Sequence, residues 1–424
     1  MLKNETIEKA NLSTTENISN IGKKTILGIQ HVIAMFGATV LVPMLTGLNP
    51  SVALFTAGIG TLIFHMCTKK KVPVFVGSSF AFITAIQLVS KQYGDLAYAQ
   101  GGVIVAGGLY LLLASLVMVF GVDKVKSFFP PVVTGPMIVV IGLTLSPTAL
   151  EMASSNWLVA FIVVATVAII SIFAKGFLKV IPILIGVIVG YILSVILGLV
   201  DFTPIAKATF FSVPQFTLPK FSLGAIAVIA PVVLATFMEH IGDITTNGAV
   251  VGKNFFEDPG LHRTLMGDGL ATMFAGLVGG PANTTYGENT SVLAVTKVYD
   301  PSILRIAACI AVIMGFIGKF GAVLQTIPTP VMGGVSIILF SMITSVGIRT
   351  ISNAKIDYSD NRNLIISGII LVAGIGTEFL KMNPDFKGAV GIQLGNGAQI
   401  AGLSLAALIG VIINKVLPET KKEA

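Results

Sequence analysis

Long stretches of this chain run for about a bilayer's width or more without a formal charge, among them Thr25 to Thr68, Val72 to Ser90, Leu96 to Val122, Ser127 to Leu150, Met152 to Ala174, Val180 to Val200, Phe320 to Ile348 and Gly388 to Asn414. A helix needs about 20 apolar residues to cross the hydrocarbon core, so these stretches make the chain a polytopic membrane protein. With 54% hydrophobic and only 11% charged residues, against roughly 25% in a globular domain, it cannot build a soluble surface. A disordered or collagen-like chain is excluded on the same ground. The net charge of +7 suggests nucleic acid until the basic residues are located, because surplus Lys and Arg in a membrane protein reflect topology. The two cysteines, Cys67 and Cys309, have no metal-ligand spacing and read as packing residues in apolar helices. The first 22 residues are polar, lack an apolar core with a cleavage site, and read as a solvated tail rather than a signal peptide.

Charge clusters, Gly/Pro loops and Asn/Asp turns divide the chain into fourteen segments, centred near residues 35, 60, 82, 111, 140, 165, 189, 233, 271, 291, 312, 340, 371 and 406. With the N-terminus cytoplasmic, 21 of the 27 basic residues fall in inside loops and 6 outside, as the positive-inside rule expects. One span more or fewer would scramble that split. Both termini are therefore placed in the cytoplasm.

Two segments are too rich in Pro, Gly, Ser, Thr and Asn for a plain lipid-facing helix: Val72 to Ser90, opening VPVFVGSSFAF after Lys71, and Gly279 to Lys297, opening GGPANTTYGENTS. Each reads as a short extended piece followed by a half-helix, and such broken segments in matching places of two halves point to a transporter's binding site. Pro131-Val132-Val133-Thr134-Gly135 recurs as Pro330-Val331-Met332-Gly333-Gly334, 199 positions later, and the broken segments have a similar separation. Seven spans per half is odd, so the second half enters from the opposite side and the repeats are inverted.

A charged residue at the bilayer centre costs about 2.5 to 3.5 kcal/mol on insertion scales, which makes a deep acid a functional hypothesis. Glu239 and Asp243 are four apart and share a helix face with Thr236 and Asn247. The alternative for this polar stripe is a helix end nearing the cytoplasm, with Asp243 solvated. Glu288 follows Asn283-Thr284-Thr285-Tyr286-Gly287 at the strand-to-helix junction, where free backbone N–H groups favour an acceptor. A cap on the half-helix is the alternative role, and the two are compatible. Gly77-Ser78-Ser79 can present similar donors, and Phe80 offers a flat apolar face for an aromatic ligand, or ordinary packing. His31 and His65 read as interior histidines, and His240 points about 100° away from Glu239. Asp268 reads as a helix cap or a functional acid. No phosphate loop, zinc spacing or nucleophile elbow occurs, so the residues point to no enzyme chemistry and no cofactor.

At QHVIAMFGATVLVPMLTGLNP, VPVFVGSSFAFITAI, IPILIGVIVGY, MEHIGD, DPGLHRTLMGDGL, PANTTYGENTSVLAVTK and IPTPVMGGVS the chain resembles the nucleobase/ascorbate transporter (nucleobase-cation symporter) family, most closely its bacterial uracil permease branch, from about Gln30 to Leu417. The resemblance implies an all-α fold of fourteen spans in two inverted seven-span repeats, with short extended strands in spans 3 and 10. It implies a core domain from residues 25–122 and 221–318 and a gate domain from 127–200 and 327–417, with cytoplasmic tails at 1–24 and 418–424. It further implies proton-coupled import of a base across the cell membrane by a homodimer. By matching motif, Glu239 and Glu288 would be the base-binding carboxylates, Phe80 a stacking contact, Tyr286 and Gly287 neighbours of the ring, and Ala38 a wall. Glu239, Asp243 and Asp268 are the proton-coupling candidates.

The sequence departs from the family pattern in places. Asn289 is followed by Thr290 and Ser291 where the signature has a Gly two residues on, Asp243 stands where uracil carriers often have His, and Asp268 resembles purine-type members. Glu288, rather than Gln, favours uracil, and xanthine or another purine is the alternative. Uracil's two N–H donors and two carbonyls suit a carboxyl acceptor together with backbone or carboxyl donors. An anion exchanger of the same fold would call for a basic residue at the half-helix junctions, where this chain has Phe80 and Glu288. A passive channel lacks its repeated filter. Protons are the expected coupling ion, with sodium open, the lipid bilayer is the surrounding partner, and no nucleic acid is expected.

Overall fold

The structure, a computed structural model, describes residues 21–383, 385–386, 388–395 and 398–418. Residues 1–20 and 419–424 of the two expected tails lie outside the described residues, as do Lys3, Lys9, Lys387, Lys421 and Lys422 of the charge count. The chain is mostly helical. In order it forms α1 (Ile21–Thr46), α2 (Pro50–Cys67), β1 (Val76–Ser78), α3 (Ile83–Tyr93), α4 (Ala97–Phe120), α5 (Pro131–Ser154), α6 (Trp157–Phe173) and α7 (Pro182–Ile196). Then follow α8 (Leu223–Val251), α9 (Leu261–Val278), β2 (Asn283–Thr285), α10 (Gly287–Thr296), α11 (Pro301–Gly315), α12 (Thr329–Asn353), α13 (Asn361–Met382), β3 (Ile392–Gly395), β4 (Ala398–Ile400) and α14 (Gly402–Val416). Helix α1 begins inside the stretch assigned to the tail. Among the described residues, seven helices are long and apolar enough to cross a membrane: α1, α2, α4, α5, α8, α12 and α13. The apolar helices α6, α7, α11 and α14 are shorter.

Local chemistry sets the boundaries. Asn49 accepts from the Ser51 and Val52 N–H groups at 2.8 and 3.4 Å, with Pro50 in the first helical position, so α2 starts where an N-cap and a pre-set φ coincide. Asp300 and Asp360 cap α11 and α13 in the same manner. Gly252 and Gly279, at φ 77° and 89°, end α8 and α9 in the left-handed conformation that a side chain disfavours.

The helices pack in two groups. Helix α5 lies along α12, with α6, α7, α13 and α14 around that pair, and α4 lies along α9, with α1, α2 and α11 completing the second group. The recurring Pro-Val motifs begin α5 and α12, so related segments form the first group's axis. Small residues allow the close crossings in the second group. A Cβ on Gly107 would stand 2.6 Å from the Gly269 carbonyl oxygen, and one on Gly58 2.5 Å from that of Ala308. Outward faces are apolar, with Phe161, Ile169, Ile172 and Phe173 exposed along α6. Cys67 is half-buried, whereas Cys309 is exposed on α11 and so is not the packing residue its apolar surroundings suggest.

Against α1, α2, α8 and α9, β1 and β2 pair antiparallel with Val76 opposite Thr285, Gly77 opposite Thr284 and Ser78 opposite Asn283. Bonds from Ser79 N–H to the Ala282 carbonyl and from Tyr286 N–H to the Phe75 carbonyl extend the ladder at both ends. Because the strands run antiparallel, α3 and α10 leave the ladder from opposite ends, and their N-terminal ends flank the crossing. First-turn N–H groups of a helix have no intrahelical partner and are free for a ligand.

Candidate functional site

The strand pair is pinned from three sides. Asn283 Nδ2 donates to the Thr56 and Ala271 carbonyls at 3.3 Å, and Thr272 on α9 bonds both the N–H and the C=O of Asn283. Thr61 on α2 does the same for both backbone groups of Val76. Tyr286 hydroxyl donates to the Ser78 carbonyl at 2.9 Å, and Thr39 beside Ala38 lies 3.3 Å from it. The Ser78 hydroxyl donates in turn to the Thr39 carbonyl. These bonds hold a strand crossing that has no neighbouring strands to support it, while Ser79 Oγ, Asn283 Oδ1 and Thr284 Oγ1 are buried there without a hydrogen-bond partner.

Around this frame the acids converge. Glu239 and Asp243 on α8 and Glu288 in the first turn of α10 are each partly accessible and close enough that their charges act on one another. The Thr285 hydroxyl donates to Asp243 Oδ2 at 3.1 Å, and Asp243 Oδ1 lies 3.6 Å from where a Cβ on Gly287 would stand. Gly287 thus leaves the helix end open beside a carboxylate. Phe80, half-buried in the turn before α3, meets the Phe340 ring of α12 edge-on at 6.3 Å, so the aromatic wall spans the two helix groups. Ala38 is buried on α1 behind Thr39 and Tyr286.

The structure therefore brings Glu239, Asp243, Glu288, Phe80, Gly287, Tyr286 and Ala38 to one crossing, with Tyr286 acting as a buried brace. Asp268 is set apart. It is fully buried on α9 and faces His240, with Nδ1 to Oδ2 at 2.8 Å, and it is not a helix cap because α9 begins at Leu261. Lower on the stripe, Asn247 donates to the Pro73 carbonyl at 3.0 Å and to the Thr290 hydroxyl at 3.1 Å, which ties α8 to α10. Asn289 Nδ2 bonds the His31 carbonyl and lies 3.1 Å from its ring nitrogen. Among the described residues no group of three or more His, Cys, Asp and Glu side chains is arranged to hold a metal. Sequence reasoning missed Thr39, Thr285, His240 and Phe340. The two threonines sit in motifs it had marked, whereas no local pattern points to Phe340.

A family model described as "Permease family" matches residues 22–383. The probable uracil permease of Haemophilus influenzae is 42% identical over 420 residues, covering 97% of this chain and 98% of that protein. The uracil permease of Bacillus subtilis is 44% identical over 414 residues, covering 93% and 92%. The uracil permease of Escherichia coli K12 is 39% identical over 396 residues, covering 91% and 89%. Among solved structures, the transmembrane domain of the cyanobacterial bicarbonate transporter BicA superposes with a TM-score of 0.60 at 14% identity, covering 86% of this chain and 97% of that one. The murine Solute Carrier 26 family member A9 anion transporter gives 0.67 at 9% identity, covering 94% and 68%. Those two likenesses carry the fold alone. With a family model spanning most of its length and relatives matched nearly end to end, the chain belongs to the nucleobase/ascorbate transporter family of permeases.

Proposed function

We propose that this protein is a proton-coupled importer of uracil, working by alternating access, with the base held between the half-helices α3 and α10. The observation that carries the reading is the meeting of Glu239, Glu288 and the Phe80 ring at a strand crossing flanked at its two ends by the N-termini of α3 and α10. A neutral planar base with N–H donors and carbonyl acceptors matches carboxyl groups, free backbone N–H groups and an aromatic face. The names of the bacterial relatives agree with it. Glu239, with Asp243 beside it, takes up the coupling proton. Each of the fourteen centres read from the sequence falls in a helix or in a strand-plus-helix piece, which supports fourteen spans in two inverted repeats. The two helix groups correspond to a core of residues 25–122 and 221–318 and a gate of 127–200 and 327–417. We place the protein in the cell membrane, with both termini cytoplasmic, as a homodimer whose detergent-corrected mass would be twice 44.3 kDa.

A purine reading is favoured by one observation, the third carboxyl of Asp243 beside Gly287, which offers an extra acceptor to a base with more N–H groups. Competition against labelled uracil uptake separates the two. We expect unlabelled uracil and 5-fluorouracil to compete and xanthine not to; competition by xanthine without 5-fluorouracil would transfer the assignment to purines.

A further inference from the structure

The connection from α7 to α8 runs without regular structure from Ala208 to Ser222, apart from a single bridge between Phe211 and Ile317. It is strapped across one end of the second helix group. The Ser212 N–H donates to the Phe316 carbonyl just past α11 at 3.0 Å, and the Gly318 N–H donates to the Phe210 carbonyl at 2.9 Å. Further on, the Thr217 N–H donates to the Val278 carbonyl at the end of α9 at 3.2 Å, and the Lys220 N–H to the Ala97 carbonyl at the start of α4 at 2.8 Å. Glycine permits the close approach at two of these points. A Cβ on Gly101 would collide with the Lys220 carbonyl, and one on Gly318 would stand 2.6 Å from that of Thr209. The Phe216 ring meets Phe55 of α2 edge-on at 5.3 Å, and Phe55 meets Phe316 in turn. Bound at these points, the strap holds a fixed course over the helix ends.

Its other side chains are unlike those of a water-facing loop. Phe210, Phe211, Val213, Leu218, Phe221 and Leu223, six of the fourteen positions from 210 to 223, are 60% to 86% exposed, and no formal charge occurs between Lys207 and Lys220. Apolar exposure this dense marks a surface that something apolar covers. The neighbouring surface says what that is. Leu277 beside Val278 on α9, and Ile313 one turn before Phe316 on α11, are exposed on the helices to which the strap is bonded, so the strap continues their lipid-facing side. Lys220 holds Asp95 at 2.9 Å and lies 5.8 Å over the Tyr98 ring, which packs on Tyr93 at 4.9 Å; such pairing of cations with aromatic rings suits a membrane interface. We propose that residues 208–223 lie in the bilayer interface rather than in water, with their exposed apolar side chains about 5 to 10 Å into the headgroup–acyl boundary of the phospholipid. A bilayer covers a thin, winding line of side chains without a matching shape, which a protein partner would have to supply. The topology proposed above makes this the outer leaflet, whereas the immersion itself does not depend on that topology.

Tryptophan fluorescence of the full chain in lipid nanodiscs tests the proposal, because the chain has one native tryptophan. Trp157, exposed at the start of the apolar helix α6, serves as the bilayer reference. In Trp157→Phe protein, Phe211→Trp and Leu218→Trp are made separately as reporters on the strap. Nanodiscs leave both membrane faces open to solutes, so the outcome is the same whichever leaflet is involved. We expect phosphatidylcholine brominated near the headgroup end of its acyl chains to quench each reporter to within about twofold of Trp157, and more than chains brominated near the methyl end. Aqueous iodide should quench each reporter several-fold less than free N-acetyltryptophanamide. Full iodide quenching without bromine quenching places the strap in water and overturns the proposal, as does stronger quenching from the methyl end. Protection from both quenchers overturns it as well and assigns the strap to a protein partner such as a second copy of the chain. If one reporter variant fails to fold, the other, or Phe221→Trp, reads the same depth. Absence of uracil uptake by the wild type would refute the proposed function and leave the quenching result standing.

Discussion

Glu239 and Glu288 reach the same crossing from different helices, and the difference in their settings separates their expected roles. Glu239 lies mid-helix beside Asp243, where a proton changes the charge of a cluster of acids. Glu288 sits in the first turn of α10, where backbone donors and the positive helix end accompany it. Glu239→Gln keeps size and hydrogen bonding but cannot titrate. We expect it to bind uracil and exchange it in counterflow while losing the fall in uptake between about pH 5.5 and 7.5 that the proposed coupling predicts for the wild type. Retention of uphill accumulation with that pH dependence would move the coupling role to Asp243. Glu288→Ala leaves base donors or acceptors unpaired at about 1 to 3 kcal/mol each, a loss of roughly 5- to 150-fold in affinity by equilibrium binding.

At the scale of elements, a two-strand ladder this short survives because Thr61 on α2, Thr272 on α9 and the Tyr286 hydroxyl occupy its backbone groups. Gly77 shows how tight the arrangement is. A Cβ there would stand 2.6 Å from two carbons of the Tyr286 ring, and the ring is anchored through its hydroxyl to Ser78. Gly77→Ala should destabilise the protein by about 1 to 3 kcal/mol through overpacking and weaken uracil binding with it. Wild-type melting temperature and affinity in that variant would show that the crossing has slack. Helix α11 offers a milder test. Burial pushes the Asp300 carboxyl up, but the Lys24 ammonium at 2.7 Å and the Ser302 groups more than offset this and hold it below the usual carboxylate range. A depressed value means that the contribution is complete above about pH 4 and is lost as pH falls through the folded value. Asp300→Asn preserves the cap and loses the ion pair, so it should cost about 0.5 to 1 kcal/mol at neutral pH and progressively less in acid, read by thermal melts across pH.

For the whole molecule, the contact to test is the one between helix groups. Phe80 rides on the α3 side and Phe340 on α12, and their rings meet edge-on at 6.3 Å. Movement of one group past the other must break this pair. Phe340→Ala removes about 0.5 to 1.5 kcal/mol of ring contact, so we expect uracil affinity to fall about 2- to 10-fold while the pH dependence of uptake persists. Loss of the pH dependence instead would place Phe340 in the coupling machinery.

The uncharged runs by themselves determine that this chain lives in a bilayer, because no other solvent accepts stretches such as Thr25 to Thr68. The Pro, Gly and Asn in two of those runs likewise mark where a helix must break, and β1 and β2 form there. Periodicity places Glu239 and Asp243 on one face of α8. Three things were decided only by tertiary structure, since each depends on residues far apart in the chain. Register is one: Thr285 reaches Asp243 because β2 pairs with β1 in a particular alignment. The second is the opposing aromatic, as nothing near Phe340 in sequence indicates that it faces Phe80. The last is the partner of His240. The sequence shows only that the ring turns about 100° from Glu239; what it turns toward, Asp268 and Thr264 on α9, was fixed by the packing of one helix on another.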